Sequence, residues 1–147
     1  PSVVEFNMRF GDPETQAVLP RLKTDLIDVF VAITEKNLSN VRLDWDSRAA
    51  VCVVMASAGY PGSYDKGELI SGAEDNADDA YVIQAGTARN DSGDLVTSGG
   101  RVLGVVGLGN NLETAIKTVY EKVQTVKFKG CHFRTDIAEK AKNHRVL

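Results

Sequence analysis

Ala49-Ala50-Val51-Cys52-Val53-Val54-Met55-Ala56 is a short, continuous, apolar run rich in β-branched residues, and it reads as a buried strand. It empties into Gly59-Tyr60-Pro61-Gly62-Ser63-Tyr64, where Pro61-Gly62 suit the two central positions of a type II turn. Downstream, residues 69–70, 81–85, 95–97 and 102–106 read as further short strands, separated by Gly-, Asp- and Ser-rich turns at 73–79 and 90–94. Asn110 then caps a helix, with Glu113 three positions on in capping-box spacing. Leu112, Ile116, Val119, Val123 and Val126 form its apolar stripe, Gly130 ends it, and residues 134–142 suit a last short helix. Upstream, Val4, Phe6, Met8 and Phe10 alternate with Val3, Glu5, Asn7 and Arg9, which predicts a strand over 3–10. Asp12 can cap the helix that follows, with Pro13 at its first position and Glu14 at its positive end. Leu19, Leu22, Leu26, Phe30 and Ile33 extend it as an amphipathic helix of roughly four turns, with Pro20 at its start or at a kink and Lys36-Asn37 closing it.

The fold class is therefore α+β: a strand with a helix or two, a junction near 37–40, and a sheet that carries a late helix. The first part has too few elements to close its own core, so it must pack on a neighbour. The chain opens at Pro1-Ser2-Val3 on neither a Met nor a basic leader, so it is expected to lack its upstream part.

The 147 residues are 43% hydrophobic and 25% charged, which excludes a disordered tail, a collagen-like fibre and a disulfide-packed miniprotein. No stretch approaches the roughly 18 apolar residues of a membrane span. The 17 basic and 20 acidic side chains leave a net charge of -3, the opposite bias from a dedicated nucleic-acid binder. Cys52 reads as a small core residue. Cys131 precedes His132, but His144 lies too far along to complete a zinc spacing. Nothing demands an oxidising compartment.

Glu5, Asn7 and Arg9 share one face of the predicted strand. A carboxylate, an amide oxygen and a guanidinium in a row can hold a hard cation and a phosphate together. Mg²⁺ takes oxygen ligands at about 2.1 Å and uses only one or two protein groups, while arginine pairs with phosphate oxygens as a fork. The bland alternative is a solvated edge. Asp12 and Glu14 are explained as a cap and a first-turn acid; a substrate contact at the helix start is the other reading. Tyr60, Tyr64 and Lys66 flank a turn that either faces a ligand or is merely packed by two tyrosines. Gly104-x-x-Gly107-x-Gly109 has the wrong order for a dinucleotide loop.

The run Glu5-Phe6-Asn7-Met8-Arg9-Phe10-Gly11-Asp12-Pro13-Glu14-Thr15-Gln16 strongly resembles the signature of the phosphoribosylamine–glycine ligase (glycinamide ribonucleotide synthetase) family of the ATP-grasp superfamily. The resemblance continues through Leu19-Pro20-Arg21-Leu22, Gly59-Tyr60-Pro61-Gly62, Ala85-Gly86-Thr87, Gly99-Gly100-Arg101-Val102-Leu103 and Lys127-Phe128-Lys129-Gly130, covering nearly the whole chain. It implies an ATP-dependent ligase of purine biosynthesis: glycine is phosphorylated on its carboxylate, and 5-phosphoribosylamine attacks the acyl phosphate. The family's Mg²⁺ or Mn²⁺ positions fall on Glu5 and Asn7, and Arg9 matches an arginine assigned to phosphate contact or transition-state charge. Asp12 and Glu14 belong to the same motif as candidate substrate or phosphate contacts. By this resemblance, residues 1–38 end the ATP-grasp domain and 39–147 form a small β-rich, barrel-sandwich-like C-terminal domain with a late helix. The parent enzyme is expected in the cytoplasm, with small-molecule substrates and neither nucleic acid nor membrane as partner. This portion is expected to be inactive alone, because most of the ATP site lies upstream. The alternatives are a stand-alone interaction module or another ATP-grasp carboxylate–amine ligase.

Overall fold

The computed structural model describes residues 2, 3, 6 and 8–142. The apolar run forms β1 (Ala49–Ala56), which lies inside an antiparallel sheet. β1 is joined by β2 (Ala80–Gln84), by the separate hairpin of β3 (Thr87–Arg89) and β4 (Leu95–Thr97), and by β5 (Arg101–Gly109) and β6 (His132–Phe133). The main sheet runs in the order β2-β5-β1-β6. β1 pairs with β5 from Ala49 opposite Gly109 to Ala56 opposite Arg101, with one irregularity between Met55 and Ala56. The α+β class holds.

Strand alternation gives this sheet two unlike faces. Val51, Val53 and Met55 of β1, with Leu103 and Val105 of β5, belong to the core that Ala115, Ile116, Val119 and Val123 complete from the long helix Leu112–Thr125. The helix approaches β5 closely because Gly107 and Gly109 carry no side chain. A Cβ on Gly107 would meet the Val119 amide nitrogen at 2.5 Å and the Ala115 carbonyl oxygen at 2.8 Å. The glycines that fail as a phosphate loop are thus the seat of a helix. On the opposite face, over Cys52 and Gly104, lies α1 (Glu14–Val18), with Gln16 Cγ 3.7 Å from where a Cβ of Gly104 would stand.

Several local expectations are corrected. Residues 3, 6 and 8–10 form no strand; Phe6 is 85% and Met8 96% exposed, and no described strand offers them a ladder. Val4, Glu5 and Asn7 lie outside the described residues. The four-turn helix is broken into α1, a 3₁₀ turn at Leu19–Arg21 containing Pro20, and α2 (Leu26–Thr34). The break arises because Leu22 turns extended and bridges Trp45, while Arg21 and Lys23 exchange main-chain hydrogen bonds with Asp46 and Asp44. Asp25 restarts the helix, its carboxylate accepting from the Ile27 N–H at 2.8 Å. Asp12 caps nothing: the cap position of α1 is Pro13, with no side-chain hydrogen bond.

The long helix, α3, is capped by Asn111 rather than Asn110, since Asn111 Oδ1 accepts from the Thr114 N–H at 2.8 Å. It ends at Thr125, short of Gly130, and among the described residues the expected helix over 134–142 is reduced to the single turn α4 (Glu139–Lys142). Residues 69–70 contribute one bridge, Leu69 to Val96, rather than a strand. The turn after β1 centres on Tyr60-Pro61, with the Gly62 N–H donating to the Gly59 carbonyl at 2.7 Å. Its tyrosine is set by Gly100, where a Cβ would collide with the Tyr60 ring.

Lys122 is a buried cation in this core, its ammonium donating to the carbonyls of Gly72 (3.2 Å) and Asp75. Gly107→Ala is expected to destabilise the chain by about 1–3 kcal/mol, the usual penalty for overpacking. Lys117→Ala, on the exposed side of α3, should stay within about 0.5 kcal/mol. Denaturant unfolding of both variants checks the pair, and equal midpoints would remove the close approach as a constraint.

Candidate functional site

Residues 13–16 lie against the face of the sheet opposite α3, while Met8 and Arg9 before them are exposed. The sequence-predicted residues of this segment are chain neighbours, and the structure gives them different surroundings. Arg9 is exposed and donates from Nη1 to the Phe10 carbonyl at 2.9 Å. Gly11 carries the start of α1: its carbonyl accepts both the Thr15 N–H (3.0 Å) and the Thr15 hydroxyl (2.5 Å). The Glu14 carboxylate folds over Gly11, occupying the space a Cβ there would need. α1 is a single short turn led by Pro13, with no side-chain hydrogen bond at its cap.

Asp12 does something the sequence did not announce. One carboxylate oxygen accepts from Gln16 Nε2 at 2.8 Å, and the other pairs with Arg101 Nη1 at 3.3 Å. The same Nη1 donates to the Asp12 carbonyl at 3.1 Å. Arg101 opens β5, directly after the glycine pair 99–100, and is 89 positions from Asp12. No periodicity of an apolar strand shows which way its first side chain reaches, so Arg101 and Gln16 were missed.

Two clefts flank α1 where it crosses the sheet. One, of about 470 Å³, is bounded by Pro13, Cys52, Val54, Tyr60, Arg101 and the 132–134 segment. The other, of about 540 Å³, lies against Asp12, Gln16, Tyr81 and Ile83. Both are mainly apolar with a few polar groups at the rim, the usual character of a small-molecule site. Arg134 at the first cleft is held by Asp136 at 2.6 Å, and the guanidinium lowers the Asp136 pKa. Tyr60 and Tyr64 have ring centroids 6.3 Å apart against Gly100, Tyr60 also walls the first cleft, and Lys66 is exposed. Among the described residues no three His, Cys, Asp or Glu side chains group as metal ligands, and no helix is long and apolar enough to cross a membrane.

A family model described as "Phosphoribosylglycinamide synthetase, C domain" matches residues 50–140. The chain belongs to the phosphoribosylamine–glycine ligase family. It is 49% identical over 138 residues to the phosphoribosylamine–glycine ligase of Caldanaerobacter subterraneus, covering 94% of this chain and 33% of that one. The Synechocystis ligase is 53% identical over 141 residues, covering 95% and 33%. The crystal structure of the Thermotoga maritima ligase superimposes with a TM-score of 0.70 at 34% identity, covering 92% of this chain and 33% of that one. This chain therefore spans about a third of the length of these family members.

Beneath α1, Cys52 is 9% exposed; burial, with a smaller effect of the Asp12 charge, pushes its thiol up to about 12. Burial alone pushes Cys131 up to about 11. A thiolate is the alkylating nucleophile, so a raised pKa means little reactive form at pH 8. Neither cysteine is expected to react with iodoacetamide at pH 8 in the folded chain, and both should react in denaturant. Peptide mass spectrometry checks this, and fast native labelling of Cys52 would contradict the placement of α1.

Proposed function

We propose that this chain is the C-terminal portion of a phosphoribosylamine–glycine ligase. That enzyme joins glycine to 5-phosphoribosylamine through an acyl phosphate, with ATP converted to ADP and phosphate, in the cytoplasm. The observation that carries the reading is alignment along nearly the whole chain, at about half identity, with ligases three times as long. Residues 1–38 would close the ATP-grasp domain and 39–147 would form the domain that follows. The exposed apolar side chains of α2, with Ile27 at 67% and Ile33 at 51%, suit cover by the upstream part of the enzyme.

In this reading Glu5 and Asn7 hold Mg²⁺ or Mn²⁺. Their carboxylate and amide oxygens are the hard donors that such an ion prefers, and two protein groups suffice when nucleotide phosphates complete the shell. The bound ion supplies charge neutralisation at the transferring phosphoryl group. Arg9, exposed beside them in sequence, contacts phosphate oxygens and the charge that develops on them. Asp12 and Glu14 border the substrate space, Asp12 also serving to hold Arg101 and Gln16.

The ligase extended upstream should release ADP only with both glycine and phosphoribosylamine present. Glu5→Ala should lower its turnover and raise its Mg²⁺ requirement; unchanged activity at low Mg²⁺ removes Glu5 from the site. The chain studied alone is expected to gain no thermal stability from Mg-ATP. A ligand at 100 times its Kd would add roughly 2.7 kcal/mol, so a clear rise in Tm would show that the nucleotide site does not need the upstream part.

A further inference from the structure

We propose that Arg101 is a positioning residue for the ligase reaction, holding the 9–14 segment in register on the sheet. The inference rests on the function proposed above. Its basis is a difference in kind between the contacts on either side of residue 48. Among the described residues, the Arg101 contacts with Asp12 are the only hydrogen bonds or ion pair that join residues 8–48 to residues 49–142. Everything else across that boundary, such as Gln16 Cγ and Pro13 over Cys52 and Gly104, is non-directional packing. Packing sets how close α1 lies but supplies no directional contact that selects one register. A guanidinium that grips both the carbonyl and the carboxylate of one residue does.

Arg101 is itself well anchored. Its carbonyl accepts the Gly86 N–H at 3.0 Å. The neighbouring Gly100 carbonyl accepts the Ser57 N–H at 2.8 Å, and that of Gly99 accepts the Ser57 hydroxyl at 3.0 Å. Gly86 and Gly99 approach so closely that a Cβ on Gly86 would lie 2.7 Å from Gly99 Cα. The base of the side chain is thus part of the rigid sheet, and its tip grips the turn three residues after Arg9. An exposed ion pair adds little to stability. Its value is in where it places the segment, since a misplacement of about 1 Å costs on the order of a hundredfold in rate.

The test uses the full-length ligase with Arg101→Ala, Arg101→Lys and Asp12→Ala. Arg101→Ala should lower kcat roughly ten- to a hundredfold, leave each KM within about threefold, and speed alkylation of Cys52, beneath α1, without exposing Cys131. Arg101→Lys should recover part of both losses. The double variant with Asp12→Ala should cost clearly less than the product of the two single effects. A KM rise confined to phosphoribosylamine, with Asp12→Ala silent, would overturn the proposal by making Arg101 a substrate ligand. Faster Cys52 labelling with unchanged kcat would also overturn it, leaving a purely structural tie. Absence of glycine- and phosphoribosylamine-dependent turnover in the unsubstituted enzyme would instead overturn the ligase reading, and this positioning role with it; the Cys52 result would still report whether the tie exists.

Discussion

The antiparallel ladder between β1 and β5 sets the phase of everything packed on it. With Val53 opposite Val105 and Met55 opposite Leu103, one set of alternating side chains meets α3. The other set, Cys52 with Val106 and Val54 with Gly104, meets α1. A slip by one residue would exchange these faces, placing Gly107 away from Val119 and bringing side chains against the helix backbone. The glycine pattern of β5 and the β-branched run of β1 therefore enforce each other.

That phase also locates the candidate site. α3 takes the face where Gly107 and Gly109 permit direct backbone approach, which leaves the other face to the short α1 and the clefts beside it. Arg101 stands where the ladder becomes irregular, between Met55 and Ala56. At this end the sheet hydrogen-bonds to 57 and 86 rather than continuing, and a side chain can leave the sheet to meet Asp12. The turn at Asp12 is thus tied to the start of β5 by a contact that depends on the strand register.

The elements that were legible in the sequence share a property: their pattern is satisfied by neighbours within this chain. The run 49–56, the strand at 95–97 and the stripe of α3 all bury their apolar residues against elements of this chain, so period and composition suffice. The segment 3–10 has equally regular alternation, yet its described residues form no strand. Alternation reports a fit to a sheet, and the ladder has to come from somewhere else. The apolar run 19–33 likewise has the spacing of one helix, but pairing of 21–23 with 44–46 outcompetes helical hydrogen bonds around Pro20. For the site, the motif residues were legible as a pattern, while their partners were not.

By itself, the sequence determined the α+β class, the central strand, the late helix and the family, because each is written in residues close together along the chain. Only the tertiary structure decided that Gly107 and Gly109 seat a helix, that Asp12 holds an arginine instead of capping α1, and that Arg101 ties the motif to the sheet. Those facts depend on groups as many as 89 positions apart meeting within about 3 Å. Local propensity carries no information about such encounters; they exist only once register and packing have brought the strands and helices together.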